Sequence, residues 1–203
     1  MNKIKSKLLL WLTLPVMLFS CSEEYETDSG KASGKEREVK VTIQMPKQSP
    51  STYGMDAIDE NKVEKITVFA FKADASAPSG FSLAYPPKDG YSITDAGGGT
   101  SMPQKTFTVE LFEKSYAQTL VFIANANLPV YGQSSVGTDK ETLLRVLKSE
   151  TIGKWDAKEG GSTTFKPFPM WGETVASITG GTTNLTGIKL LRTIARVDVV
   201  LDN

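Results

Sequence analysis

From Arg37 to Met45 the chain reads REVKVTIQM, and apolar and polar residues alternate without a break. Val39, Val41, Ile43 and Met45 share one face of an extended backbone, while Lys40, Thr42 and Gln44 share the other. A period of two fits a half-buried β-strand; apolar positions on a helix recur roughly every three to four residues. A strand of this kind needs neighbours, and the sequence offers them. Val63–Lys72 is apolar on both faces from Ile66 to Phe71, as in a central strand. Gln104–Phe112 alternates again through Phe107, Val109 and Leu111, and Thr119–Ala124 (TLVFIA) is a continuous apolar run. Thr174–Ile178 and Leu185–Leu201 complete the set, and Phe81–Tyr85 with Tyr91–Thr94 reads as a short hairpin. The last strand is long for its kind. Adjacent apolar residues at Leu190-Leu191 break its alternation and predict a bulge or bend there.

Between these runs lie stretches rich in Gly, Pro, Ser and Thr, including Pro46–Lys62, Asp74–Pro103 and Gly153–Phe165. Such punctuation favours an all-β domain. The glycine runs have no strand-to-helix context that would make them phosphate loops. One helix is predicted over Asp139–Ser149, with Thr138 as its cap, Glu141 completing a capping box, and Leu143, Leu144 and Leu147 docking it on a sheet. Phe168–Glu173 (FPMWGE) reads as a tight turn that packs Trp171 into the core.

The N-terminus has a different character. Lys3, Lys5 and Lys7 precede an apolar run from Leu8 to Phe19, too short for a bilayer core that needs about 20 residues. That is the form of a secretory signal peptide. It ends in Leu18-Phe19-Ser20-Cys21, which resembles a bacterial lipobox; the resemblance implies cleavage before Cys21 and lipidation of its sulfur. Residues 1–20 are then the signal peptide. Residues 21–35 form a polar tether whose Glu23, Glu24 and Glu26 resemble the acidic export signal of Bacteroidetes surface lipoproteins. Residues 36–203 form the domain.

Composition narrows function. Without residues 1–20 the chain has 20 Lys+Arg against 23 Asp+Glu, a net charge of −3, which offers nucleic acid no basic face. There is no histidine, and Cys21 is the sole cysteine. The commonest general base, metal ligand and thiolate nucleophile are therefore missing once Cys21 is acylated. No catalytic residue, metal site or cofactor is predicted, and only carboxylate-pair chemistry of the glycosidase kind stays open.

Taken in order, the lipobox, REVKVTIQM, VEKITVFAF, TLVFIANAN, the Thr138–Ser149 helix, PFPMWGE and LLRTIARVDVVL resemble the N-terminal domain of the Bacteroidetes fimbrillins. The more specific part is PMWG, followed about 20 residues later by R-x-x-A-R-V-D-V. The resemblance implies a transthyretin-like Greek-key β-sandwich of about seven strands. It also implies a structural subunit (shaft, tip or anchor) of an adhesive surface fimbria, held at the outer membrane by the lipid on Cys21. In that family a protease cuts after the first strand, which is replaced by a strand from another fimbrillin subunit. Here Val39, Val41, Ile43 and Met45 would form the replaced set.

Two departures stand out. The family's protease is arginine-specific, yet Pro46–Lys62 contains no arginine; its basic residues are Lys47 and Lys62. Arg37 comes too early for cleavage there to release the strand. The sequence also stops at Asn203, where most fimbrillins continue into a second domain, so it would accept a strand with little left to donate. A truncated gene, a fragment and a single-domain variant all fit. The competing reading is a surface lipoprotein that binds glycan or a host ligand through Trp171, Tyr85 and Tyr91.

Overall fold

The computed structural model describes residues 34–47, 62–97, 102–126, 135–145 and 167–193. Cys21, the signal peptide and tether up to residue 33, residues 48–61, the end of the predicted helix and residues 194–203 lie outside them. The described residues form β1 (Glu36–Gln44), β2 (Ile66–Ala73), β3 (Phe81–Leu83), β4 (Lys88–Asp89) and β5 (Tyr91–Gly97). They continue with β6 (Gln104–Phe112), β7 (Gln118–Ala124), β8 (Met170–Ala176), β9 (Asn184–Lys189) and β10 (Leu191–Arg192). A helix, α1, runs through residues 140–145.

The strands form two sheets. One has the order β5-β6-β1-β9; the other runs β10-β8-β7-β2-β3, with β4 also pairing β2. The molecule is an all-β sandwich. Its main core lies between the sheets, where Val39, Val41, Ile43, Phe107, Val109 and Leu111 meet Ile66, Val68, Leu120 and Phe122, all at 0% exposure. Phe107 and Phe122 cross edge to face, their centroids 6.3 Å apart. A second cluster covers the other face of the β7/β2 sheet, where Leu143 and Leu144 of α1 sit over Phe69, Phe71 and Val121. This is why Ile66–Phe71 carries no polar face: both of its sides are covered.

Close approach fixes several glycines, two of them near the sheet crossing and the core. A Cβ on Gly90 would lie 2.5 Å from the Phe107 ring, and one on Gly172 would lie 2.5 Å from the Lys189 carbonyl oxygen. The second contact marks where the chain changes sheets. β9 pairs β1, β10 pairs β8, and buried Leu190 joins them, so the break predicted at Leu190-Leu191 is a crossing from one sheet to the other.

Three expectations change. Phe81–Tyr85 and Tyr91–Thr94 do not form a hairpin: β3 pairs β2 in one sheet and β5 pairs β6 in the other. Phe168–Glu173 is not a tight turn: β8 already begins at Met170, directly after Pro169, where a strand tolerates proline. Alternation then sends Met170 and Gly172 inward and Trp171 outward, leaving Trp171 37% exposed. The cap of α1 is Asp139 rather than Thr138. An Asp139 carboxylate oxygen accepts the Thr142 amide at 2.9 Å, while the Thr138 hydroxyl donates to the Ser135 carbonyl.

Candidate functional site: the first strand and its channel

The replaceable strand anticipated from the sequence is an interior strand. β1 runs antiparallel to β6 from Glu36↔Phe112 to Gln44↔Gln104 without a register shift. On its other side it runs parallel to β9, from Lys40↔Asn184 to Gln44↔Lys189, across a bulge. Val39, Val41 and Ile43 are fully buried and Met45 is 4% exposed. At about 1.5–3 kcal/mol per buried apolar side chain, these four contribute roughly 6–12 kcal/mol to holding the strand in place. Backbone bonds close both ends: the Met45 amide donates to Pro103 at 2.8 Å, and the Glu113 amide donates to Lys35 at 2.9 Å.

Charged residues clamp the start of the strand. Glu36 pairs Lys88, and Arg37 pairs Glu113 beside Gly180. Arg37 is thus the second residue of β1, half-buried and engaged, rather than a residue ahead of it. On the outward face, the register sets exposed Glu38 directly opposite exposed Glu110. Tyr91, on β5 beyond β6, hydrogen-bonds Glu38. Partial burial first, and then the two carboxylates, push its phenol above the ordinary value.

The chain leaves and re-enters this site through Lys47 and Lys62, and the two differ. Lys47 is exposed just past β1. Lys62 pairs Glu64, and its carbonyl accepts the Asn125 side-chain amide at 2.7 Å. Asn125 also donates to the Phe168 carbonyl and accepts the Glu64 amide, so it pins three segments where β2 begins. Its φ of 56° is a conformation that asparagine tolerates better than most residues. From the sequence this residue read only as the end of a strand; the signal was an Asn directly after TLVFIA, where a strand must stop.

The aromatic residues of the competing reading do not come together. Tyr85 is fully buried, with its hydroxyl donating to Gln118 at 2.8 Å and its ring crossing Phe112 edge to face. Burial pushes its phenol well above the ordinary range. Tyr91 lies on the outer face of the β5/β6/β1 sheet, and Trp171 on the outer face of the other.

Two crystal structures of Parabacteroides distasonis proteins are similar to this chain. One is a fimbrial assembly protein, 17% identical, with a TM-score of 0.39 over 78% of this chain and 54% of that one. The other is a candidate cell adhesion protein, 14% identical, with a TM-score of 0.34 over 78% of this chain and 41% of that one. This chain therefore spans about half of the first protein and less of the second. No protein-family model and no curated protein sequence matches it.

Proposed function

We propose that this protein is a structural, non-catalytic subunit of a cell-surface adhesive fimbria, in which β1 is exchanged for a strand of a neighbouring fimbrillin subunit. One observation carries the reading. The first described strand is interior to its sheet and fills the core with four alternate side chains, yet one cut after it would free it from the strands that follow. Strand replacement uses such a channel: ladder hydrogen bonds set the register, and side-chain sites select every second residue. Before exchange, the lipid on Cys21 holds the subunit at the outer membrane with the domain facing outward.

Lys47 is the processing site in this reading. It is exposed immediately after β1, whereas the Lys62 carbonyl, which a protease would have to attack, is held by Asn125. The test is the intact mass of the protein isolated from its native outer membrane. A chain beginning at Gln48 supports exchange after processing at Lys47. A chain from acylated Cys21 through Asn203 keeps β1 and would overturn the exchange, leaving an uncut, membrane-retained anchor. A lipid-free chain that keeps Val39–Met45 would sink both forms of the proposal.

A further inference from the structure

The channel has a charge requirement that β1 itself does not meet. Glu38 and Glu110 face one another across the β1/β6 ladder, and like charges in directly opposed positions destabilise a strand pair. Among the described residues neither belongs to an ion pair: Lys88 pairs Glu36 and Lys105 pairs Asp95. The Tyr91 hydroxyl hydrogen-bonds Glu38 and lies close enough to feel both carboxylates. On the rest of the β1 face that points away from the core, Glu36 is paired by Lys88 and lies opposite Phe112, while Lys40, Thr42 and Gln44 lie opposite Thr108, Thr106 and Gln104. The mismatch is local to one rung, and it belongs to the strand that the proposed function removes.

Resting on the strand-replacement reading, we infer that the strand this channel is built to receive carries a lysine or arginine opposite Glu110. It would run in the direction of β1, with branched or flexible apolar residues in the places of Val39, Val41, Ile43 and Met45. Its cation turns the repulsive rung into an attractive one. Glu110 is then a selector that favours the incoming strand over the outgoing one, and its effect weakens with salt because the rung is exposed.

The test uses the full chain, nicked at a protease site introduced within residues 48–61, with β1 still seated. Labelled peptides of the residue 36–46 sequence are offered with Glu, Gln or Lys at position 38. Uptake in the order Lys over Gln over Glu is expected, with Lys ahead of Glu by about two- to fivefold at low salt. In the Glu110→Lys chain the order should reverse. Equal uptake of the three peptides in both chains overturns the selector while leaving strand replacement standing. Failure of every peptide to enter, including the one with the native sequence, overturns strand replacement and the selector with it. Because peptides can differ in solubility, the intact-chain cycle of Glu38→Lys, Glu110→Lys and the double exchange gives a second readout. Coupling between the two positions in unfolding midpoint is expected, and additivity contradicts it.

Discussion

The two sheets differ in how their central strands are enclosed. In the β7/β2 sheet, Phe69, Phe71 and Val121 lie under α1 while Val68, Leu120 and Phe122 face the opposite sheet, so the central strands are enclosed on both sides. Among the described residues, only one face of the β6/β1 sheet is enclosed; the other presents Glu38, Lys40 and Glu110 to solvent. A strand enclosed on both faces cannot leave without dismantling two clusters. β1 can leave by giving up one row of side chains and two ladders. If β1 is exchanged as proposed, this difference in burial is what sets it apart from the strands that stay.

The sharpest way to break this comparison is to truncate one core residue from each sheet. Phe122→Ala should cost about 3–5 kcal/mol and Ile43→Ala about 2–4 kcal/mol, read from denaturant unfolding. The distinction lies in rescue: an added peptide of residues 36–46 should restore the Ile43→Ala chain and leave Phe122→Ala unaffected. Equal rescue, or none for either, would erase the contrast.

Gly172→Ala should follow at about 1–3 kcal/mol, because its new methyl would meet the Lys189 carbonyl where the chain crosses between sheets. Amide exchange should quicken along β9 and β10 more than along β2. Asn125→Ala removes three side-chain hydrogen bonds to two other segments, and about 1–3 kcal/mol is expected from the groups left unpaired. In limited proteolysis by a lysine-directed protease, that variant should gain a cut at Lys62.

The smallest effect concerns acid. Hydrogen bonds from the Ser76 side chain first, then the Ser82 hydroxyl and the Ser76 amide, hold the Asp74 carboxyl down to about 2. Hydrogen bonds from Ser79, then Thr142, hold Asp139 below its ordinary range as well. Both folded values lie below the unfolded value near 4, so the stabilisation is complete above about pH 4 and fades as pH falls through the folded values. Protection of the Leu143 amide should therefore fall on acidification before that of β1. Asp139→Asn should flatten this response, and an unchanged pH profile in that variant would contradict the assignment.

Much of this contrast was legible in the sequence. The alternation of REVKVTIQM and the unbroken apolar run of VFAF separate a strand covered on one face from a strand covered on both. β6 falls at Gln104–Phe112 as predicted, and β1 and β7 within a residue at each end. What stayed hidden depended on contacts distant in sequence. Gly172 and Pro169 look like turn residues until the backbone at Lys189 is known to lie against one of them, and only then does Trp171 fall on an outward position. Thr138 and Asp139 are both good caps. The choice between them was made by Ser79, about 60 residues away, whose amide binds Asp139.

β9 has β1 as its sole ladder partner among the described strands. In the language of ligand substitution, this makes loss of β1 before arrival of its successor a costly dissociative route. It would strand β9 on one side and bare Phe107, Val109 and Leu111 on the other. An associative exchange, in which the newcomer pairs rung by rung as β1 peels away, keeps both walls engaged throughout. Its rate rises with the concentration of the incoming strand, so that, on the proposed function, assembly would be governed by supply of subunits rather than by spontaneous opening of the last one added.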